Sequence, residues 1–477
     1  MLWLCITLPQ LPLEALCAND DAQPVIVAAS EGAARWAICC SRAAQRAGLS
    51  APTNYATALA ALPEAAVLER KPQAELAALQ RMAAWAYQFS ASVVLGEIAA
   101  EPRRARSASL WLEIGASLKL FGGFRALIER IEGELHELGY TYQLGVAPTL
   151  EGAALLARCA IRHAITTRQA LHQRIRNLPI SSLELDPAIV RSLHQAGVRT
   201  IGLLLDLPRD ALARRFGPQL SAFLDRLIAA APDARPAFQP PPVYRASFEF
   251  GFEVAGVAAL LFPLRRMLHE FAGYLRARDV GVQEFTITLQ HRAEAATHLR
   301  IGLRAPGRSA DKFLELAREQ LERARPSCAS IAMSISADRF TAPGALQDDL
   351  FNRTRQNDDL SHTLDRLASR LGEEQVHALK CVADHRPEAS WASAAIEETR
   401  PSVHFPDRPL WLLSQPQVLQ LAAMPTNAAG PERIESGWWD GGDAQRDYFV
   451  VRTSSGADLW IYQDLSDRRW YLHGFWS

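Results

Sequence analysis

Leu2-Trp3-Leu4-Cys5-Ile6-Thr7 opens the chain with an apolar run that stops just before Pro9. A short apolar run bounded by proline is typical of a strand buried inside a sheet. Similar runs occupy residues 25–29, 110–114 and 140–146, and a strongly periodic helix is predicted over residues 124–138. Strands and helices therefore mix through the first 165 residues. This pattern predicts an α/β or α+β layer with one sheet.

The rest of the chain divides into segments of different character. Residues 166–235 have the pattern of short helices separated by turns, and the prolines of residues 236–243 mark a linker. Residues 244–340 alternate as strand, helix, strand, strand, helix and strand, which predicts a split-βαβ sandwich. Residues 341–409 are polar and dotted with prolines, and we expect a partly disordered linker there. Residues 410–477 are rich in aromatic side chains, which predicts a small β-rich module that binds partners.

Charge is distributed unevenly although the net charge is only −1. Residues 166–345 carry 24 basic and 17 acidic side chains, whereas residues 346–477 carry 13 basic and 20 acidic ones. A basic middle favours contact with a polyanion, and an acidic tail favours contact with protein.

Cysteine spacing and the apolar start exclude several classes of protein. The 7 cysteines form no CxxC pair, which argues against a zinc site and a disulfide framework, so no metal or other cofactor is predicted. The apolar start has no basic residue before it and is broken by Pro9 and Pro12. We therefore predict neither a signal peptide nor a membrane partner, and we expect a cytoplasmic protein.

The order of these segments resembles that of Y-family (translesion) DNA polymerases. Gly145-Val146-Ala147-Pro148 resembles the stretch with which that family leaves its palm sheet, and Ala196-Gly197-Val198-Arg199-Thr200-Ile201-Gly202 resembles the helix-hairpin-helix of its thumb. The resemblance implies an α+β multidomain right hand. It consists of palm and fingers (1–165), helical thumb (166–235), linker (236–243), little finger (244–340), a linker (341–409) and a C-terminal module (410–477).

The thumb of this family holds DNA phosphates, and the resemblance assigns that role to Arg199, Arg214 and Arg215. One departure weakens the expectation. The family carries a Gly-x-Gly in the thumb hairpin, but this chain has Leu183-Glu184-Leu185-Asp186-Pro187. Proline donates no amide and the two acids repel phosphate, so we expect the arginines and the little finger to supply most of the DNA contact.

The metal-binding acids of the family are missing from the aligned positions. A polymerase holds two magnesium ions with clustered carboxylates, because hard cations prefer oxygen ligands. The resemblance places Cys5 and Thr7 at one acidic pair and Ala108 and Ser109 at the other. The nucleotide-binding side departs as well, with Gln10, Arg42, Gln45 and Leu150 at its aligned positions. We therefore predict that the chain is not an enzyme.

A pentapeptide follows the last predicted strand of the little finger, in the order Gln347-Asp348-Asp349-Leu350-Phe351. It resembles the motif with which bacterial polymerases bind the sliding clamp. Leu350 and Phe351 would fill an apolar cleft, while Gln347 and Asp349 complete the motif.

A Y-family build without catalytic acids, with a clamp motif and an aromatic tail, resembles the ImuB family. The resemblance implies a non-catalytic adaptor in SOS-induced translesion synthesis and mutagenesis. Its implied partners are damaged or primed DNA, the sliding clamp, an error-prone DnaE-type polymerase and the RecA-like protein ImuA. Two alternatives stay open. The first alternative to the adaptor is an active polymerase with relocated acids, such as Glu14, Asp20, Asp21 and Glu113. The second is a DNA-binding structural protein.

Overall fold

The computed structural model describes residues 1–17, 23–98, 107–326, 328–342, 353–395, 407–421 and 428–476. The chain forms two compact units, Met1–Arg370 and Leu371–Ser477. Within the first unit we call residues 1–165 the palm–fingers segment, 166–235 the thumb segment and 244–340 the little-finger segment. We call Leu371–Ser477 the C-terminal unit. In the described ranges no helix is long and apolar enough to cross a membrane.

The palm–fingers segment combines two sheets with helices. Its strands are β1 (Trp3–Leu8), β2 (Val25–Glu31), β3 (Ala34–Cys40), β4 (Thr53–Asn54), β5 (Ala66–Glu69), β6 (Val93–Leu95), β7 (Ala108–Glu113) and β8 (Gln143–Ala147). Its helices are α1 (Leu11–Glu14), α2 (Arg42–Arg46), α3 (Tyr55–Ala61), α4 (Pro72–Ala86), α5 (Phe124–Leu138) and α6 (Leu150–Arg158). The fingers sheet has the order β4-β3-β2-β5, in which only the β2–β5 pair is parallel.

β1 lies inside the palm sheet, whose order is β6-β7-β1-β8 and whose pairs are all antiparallel. Side chains alternate along a strand, so Leu4, Ile6 and Leu8 share one face. That face packs on α4 and α5 and is fully buried. The opposite face carries Cys5 and Thr7 and is covered by α6. The first strand is therefore closed on both sides, as its continuous apolar run predicts.

The thumb segment is helical, as expected from its turn signals. Its helices are α7 (Arg168–Ile175), α8 (Pro187–Gln195), α9 (Ile201–Leu205), α10 (Arg209–Phe216) and α11 (Pro218–Leu227), with a 3₁₀ turn at Ile180–Ser182. The Asp186 side chain caps α8 by accepting from the backbone N–H of Ala188 at 2.8 Å, and Pro187 occupies the first helical position. Two of the residues that depart from the family pattern thus begin a helix.

The little-finger segment has the predicted order of strands and helices. It contains β9 (Tyr244–Val254), α12 (Val257–Ala277), β10 (Val282–His291), β11 (Thr297–Gly307), α13 (Ala310–Ala324) and β12 (Ser330–Ala337). The sheet order is β11-β10-β12-β9, with every pair antiparallel. Apolar side chains of α12 and α13 fill one face of this sheet. The first unit ends with α14 (Arg353–Leu371). Together these elements confirm the α+β multidomain class.

Helix α12 packs on the palm helices as well as on its own sheet. Arg81 of α4 and Glu270 of α12 form a buried ion pair, with 2.6 Å between Nε and Oε2. The other carboxylate oxygen of Glu270 accepts from the hydroxyl of Tyr140 at 2.8 Å. We call Arg81, Tyr140 and Glu270 the latch. It joins the palm to the little finger across more than a hundred residues of chain.

Neighbouring residues of α12 extend this interface. Arg266 donates to the carbonyl oxygens of Glu14 at 2.9 Å and Gly139 at 3.2 Å. Gly273 lies directly against Trp85, because a Cβ at this glycine would stand 2.3 Å from Cδ1 of the indole. Palm and little finger are therefore in close packed contact through one face of α12.

The C-terminal unit is built mainly of strands, which agrees with the β-rich module expected from its aromatic content. Its strands are β13 (Ala378–Cys381), β14 (Trp391–Ala394), β15 (Trp411–Leu419), β16 (Ala428–Ser436), β17 (Ala444–Arg452), β18 (Asp458–Asp464) and β19 (Trp470–Phe475), and 3₁₀ turns occupy Glu373–Gln375 and Pro387–Ala389. Five of the strands form an antiparallel sheet in the order β15-β19-β18-β17-β16. Its core is aromatic, with Tyr448 stacked on Trp460 at 4.1 Å.

The start of this unit differs from the sequence expectation. Residues 341–409 were expected to form a partly disordered linker, yet β13 and β14 pair as a hairpin and belong to the C-terminal unit. Glu388 follows this hairpin's first strand and pairs with Arg446 of β17 at 2.8 Å. Strands of four residues with few apolar side chains give little periodic signal, so the sequence pattern did not indicate them.

Replacing Glu270 with glutamine removes the charge that compensates the buried guanidinium of Arg81. We expect the first unit to lose about 3–5 kcal/mol of stability, because breaking one partner of a buried pair leaves an uncompensated charge. Thermal or urea unfolding measures the change. Glu249→Gln is the matched control: it removes the exposed pair with Lys71 and should cost less than about 1 kcal/mol. Equal, small effects of both variants would contradict the latch.

Candidate functional site

Three of the four positions that the resemblance aligns with metal-binding acids lie together in the palm sheet. Thr7 stands directly opposite Ser109 on β7, and their hydroxyl oxygens are 3.2 Å apart. The thiol of Cys5 lies 3.5 Å from the Thr7 hydroxyl. Cys5 and Thr7 are 0% exposed and Ser109 is 5% exposed. The cluster is uncharged and almost wholly shielded from solvent.

The fourth position points elsewhere. Ala108 pairs with Leu8 and joins the core on the opposite face of the sheet, against α4 and α5. The sequence predicted a group of four, but the alternation of side chains along β7 separates Ala108 from Ser109.

Helix α6 closes the sheet over this uncharged cluster. A Cβ at Gly145 of β8 would stand 2.2 Å from the carbonyl oxygen of Ala153 and 2.3 Å from the nitrogen of Ala157, so the helix backbone rests directly on the strand. The indole N–H of Trp111 donates to the carbonyl of Leu150 at 2.9 Å. Small side chains on α6 and a glycine on β8 thus allow a close approach of the helix to the sheet beside Cys5.

The side chains of this cluster are poor ligands for a divalent cation. Burial raises the pKa of the Cys5 thiol to about 12, so the sulfur stays protonated and is a poor ligand. The hydroxyls of Thr7 and Ser109 are neutral, and the Ser109 hydroxyl donates to the carbonyl of Ser107 at 2.9 Å. Within the described residues, no group of three or more His, Cys, Asp or Glu side chains is placed to hold a metal ion.

Glu184 of the thumb segment contacts the backbone just before β7. Glu184 accepts from the backbone N–H of Ser107 at 3.2 Å and pairs with Arg158 of α6 at 3.2 Å. Beside it lies a cavity of about 810 Å³ between palm and thumb, which Arg226 and Arg235 also line. Both of these arginines face the carboxylate of Asp233. Because carboxylates compensate the arginines of this cavity, it is not an evident site for a triphosphate.

The residues aligned with the nucleotide-binding side are engaged in the fold. Gln10 accepts a hydrogen bond from the thiol of Cys39 at 2.8 Å, and Gln45 donates to the carbonyl of Cys40 at 3.2 Å. Leu150, which the resemblance aligns with a lysine, is buried in the core. Arg42 lies exposed at the start of α2.

The three thumb arginines singled out from the sequence are all exposed. Arg215 donates to the hydroxyl of Ser192 at 3.1 Å and thereby bridges α10 to α8. Arg214 donates to the carbonyl of Asp210 within α10, and Arg199 lies in the turn that follows α8. The structure places two of them beside α8, with guanidinium groups accessible to phosphate.

The little-finger sheet presents a polar face that the sequence analysis did not identify. The strand register places four residues directly opposite one another across all four strands, in the order Arg300, Thr286, Ser336 and Arg245. A second such row contains His298, Thr288, Ser334 and Ser247. Hydroxyl groups therefore occupy the centre of the face, and the first row has arginines at both ends.

This polar face also forms a depression of about 730 Å³, to which Arg339 contributes. Exposed acids are present as well: Glu284 lies 3.7 Å from Arg300. The sequence signal was the alternation of serine, threonine and arginine with buried residues along β9 to β12. The face becomes visible only when the register aligns the four strands.

The clamp motif, with Gln347, Asp349, Leu350 and Phe351, lies outside the described residues. The chain on either side of it is attached to the little finger. Thr341 exchanges two backbone hydrogen bonds with Gly281, at 2.8 and 3.0 Å. On α14, Asp365 accepts from the backbone N–H of Arg304 on β11 at 3.1 Å. The described chain before and after these residues is therefore attached to the little finger.

Thr7→Asp would place a carboxylate in the closed, uncharged cluster of the palm. We expect a loss of about 2–5 kcal/mol of stability, since the neighbouring groups are neutral and water is excluded. Ser336→Asp, at an exposed position of the little-finger sheet, serves as the control and should change stability by less than about 1 kcal/mol. Chemical unfolding of both variants measures the difference. A Thr7→Asp variant as stable as the parent chain would mean that this face of β1 is open to solvent.

The chain is similar in sequence and in fold to several known proteins. No family model matches the chain. Among solved structures, a Y-family DNA polymerase chimera of Dbh and Dpo4 is 14% identical, with a TM-score of 0.39 and coverage of 71% of this chain and 99% of that chain. DinB from Sulfolobus solfataricus is also 14% identical, with a TM-score of 0.39, 71% coverage of this chain and 98% of that one.

Curated relatives cover more of the sequence. The protein ImuB of Caulobacter vibrioides strain NA1000 is 26% identical over 466 residues, which span 90% of this chain and 100% of the relative. ImuB of Caulobacter vibrioides strain ATCC 19089 matches with the same identity and coverage. The chain is therefore related to ImuB along nearly its whole length, as the resemblance read from the sequence predicted.

Proposed function

We propose that the chain is a non-catalytic adaptor in SOS-induced translesion synthesis and mutagenesis. It binds damaged or primed DNA and the sliding clamp, and it recruits an error-prone DnaE-type polymerase and ImuA. The observation that carries this proposal is the uncharged, buried state of Cys5, Thr7 and Ser109 in the palm. The relation to ImuB supports the choice of pathway and of partners.

The palm argument is one of charge balance. Two divalent ions bring four positive charges, which a polymerase compensates with carboxylates of the palm and with the phosphates of the nucleotide. In this chain the corresponding strand positions hold two hydroxyls and a protonated thiol. The backbone of α6 also rests on β8 beside Cys5, so a nucleotide could not reach Cys5 without displacing a packed core element.

The alternative with relocated acids finds little support. Glu113 accepts from the backbone N–H groups of Leu2, Gly115 and Ala116, and it stands opposite Trp3, four residues along β1 from Thr7. Glu14 is buried and accepts from the backbone N–H of Thr141 at 2.8 Å. Both carboxylates therefore have structural partners. Asp20 and Asp21 lie outside the described residues.

DNA binding is assigned to the polar face of the little finger together with the thumb arginines. Arg245 and Arg300 flank a row of hydroxyls, and guanidinium and hydroxyl groups are the usual donors to phosphate oxygens. Neighbouring strands are about 4.8 Å apart, so the row from Arg245 to Arg300 extends across roughly 14 Å. This length suits contact with several groups of a nucleic-acid backbone.

Clamp binding is assigned to the pentapeptide between residues 347 and 351. Its attachment to the little finger on both sides limits how far the clamp can lie from the DNA-binding face. A short tether raises the effective concentration of the second binding site once the first is engaged. DNA and clamp together should therefore retain the chain more firmly than either one alone, although each single contact is weak.

Binding of the full chain to primed DNA, with and without loaded clamp, tests the proposal. We expect Gln347→Ala/Leu350→Ala/Phe351→Ala to weaken retention by the clamp at least tenfold, about 1.4 kcal/mol, while affinity for bare DNA is unchanged. Asp348→Ala, at the variable position of the motif, is the matched control. Unchanged retention of the triple variant would favour a DNA-binding structural protein without a role at the clamp.

The second arm of the same experiment concerns DNA. Log affinity falls as log salt rises, and we expect Arg245→Gln/Arg300→Gln to make this dependence less steep. The magnitude of the slope should decrease by about 2, because each arginine lost removes about one phosphate contact. Clamp binding should persist. Arg125→Gln, an exposed arginine of α5, is the control. An unaltered salt dependence in the double variant would show that the polar face of the little finger does not bind DNA.

A further inference from the structure

Two adjacent tryptophans of the C-terminal unit remain outside its core. Trp438 is 77% exposed and Trp439 is 61% exposed, in the turn between β16 and β17. Their rings contact each other edge to face, with 5.6 Å between centroids. Trp460 fills the core of the same sheet, so the exposed pair is not needed for the packing of that core. Adjacent exposed aromatic side chains that form one apolar patch are typical of interaction sites.

The turn that carries the pair is held by an ion network. Arg386 donates to both carboxylate oxygens of Asp440, at 3.0 and 2.6 Å, and to the carbonyl of Gly442 at 3.2 Å. On its other side the same guanidinium is held by Asp384 at 2.8 Å. Asp440 also accepts from the backbone N–H of Gly442 at 3.0 Å, which closes the turn. The hydrogen bonds from Arg386 hold the pKa of Asp440 below its usual range, so the network is charged at neutral pH.

Tight backbone packing reinforces the turn. Gly437 adopts a φ of 87°, and a Cβ there would stand 2.4 Å from the carbonyl oxygen of Gly442. The residue next to Trp438 can therefore only be glycine. A turn fixed in this way lowers the backbone entropy that binding through the two indoles would cost.

Charge around the pair decides between classes of partner. Glu435 and Asp443 flank the tryptophans in sequence, whereas the charge of Asp440 is compensated by Arg386. Residues 371–477 carry 15 acidic and 9 basic side chains. An acidic surround repels the phosphates of a nucleic acid. It complements a protein surface on which basic side chains rim an apolar pocket.

We propose that Trp438 and Trp439 are the anchor by which the chain docks onto a partner protein, in an apolar pocket rimmed by arginine or lysine. This inference rests on the proposed adaptor function and names the residues that carry recruitment. Tryptophan is enriched among residues that dominate the energy of protein interfaces. The aromatic composition of the tail predicted a partner-binding module, and the structure separates its core aromatics from its exposed ones.

The test uses the full chain and two separate probes, a purified DnaE-type polymerase and a purified ImuA-type protein from the same source. The parent chain is expected to bind at least one probe. Trp438→Ala/Trp439→Ala should weaken that complex at least tenfold, about 1.4 kcal/mol. It should leave thermal unfolding unchanged, because both side chains are exposed. Affinity of the parent chain should fall as salt rises.

Two further variants make the result specific. Arg386→Gln retains both indoles but loosens the turn, and we expect a smaller loss of affinity from it. Trp391→Ala, an exposed tryptophan on β14 that is 54% exposed, is the matched control and should bind like the parent chain.

The outcomes are distinguishable. A parent chain that binds neither probe contradicts the recruitment step of the proposed function, and the anchor with it. A double variant that binds as tightly as the parent chain overturns the anchor alone and leaves the adaptor function in place. A double variant that loses only DNA affinity or self-association assigns the pair to a different occupant and overturns the inference.

Discussion

The packing of α6 on the second face of the palm sheet is the constraint on which the rest of the structure depends. The backbone of α6 lies directly on Gly145, beside Cys5, and its small side chains belong to the same core as Cys5. Such packing tolerates neutral groups that hydrogen-bond one another. A carboxylate in the same place would be buried without a cation, at a cost of several kcal/mol. The neutral side chains of Cys5 and Thr7 are therefore compatible with the close approach of α6 to the sheet.

The thumb and the little finger both contact the palm through charged side chains. Glu184 of the thumb, which would repel phosphate, is instead bound to Arg158 and to the edge of β7. The little finger is held on the palm by Glu270 and Arg81 through α12. The polar face of its sheet is thus presented from a body that includes the palm.

Much of this architecture could be predicted from the sequence, because many elements carry strong local signals. The helix predicted over residues 124–138 is α5, Phe124–Leu138, whose apolar stripe is regular and whose end is marked by Gly139 in the left-handed conformation. Helix α4 was not predicted. Its alanines and apolar side chains face the palm sheet and α12 on several sides at once, so no single stripe marks it.

The remaining features depend on contacts distant in sequence. Nothing near Glu270 indicates that Arg81 lies beside it, and the row from Arg245 to Arg300 requires the register of four strands. The family resemblance supplied the positions Cys5, Thr7, Ala108 and Ser109, but only the sheet separates Ala108 from the other three. The exposed pair Trp438 and Trp439 differs from the buried Trp460 by its position in a turn, which aromatic composition alone does not reveal.

Nucleotide incorporation by the purified chain tests the central claim most directly. A primed template is incubated with the four nucleotides and with magnesium or manganese, with and without the clamp, in the absence of any other polymerase. The account predicts no extension of the primer under any of these conditions, because Cys5, Thr7 and Ser109 offer the ions no carboxylate. Template-dependent extension that rises with protein concentration and persists after removal of contaminating polymerases would contradict it.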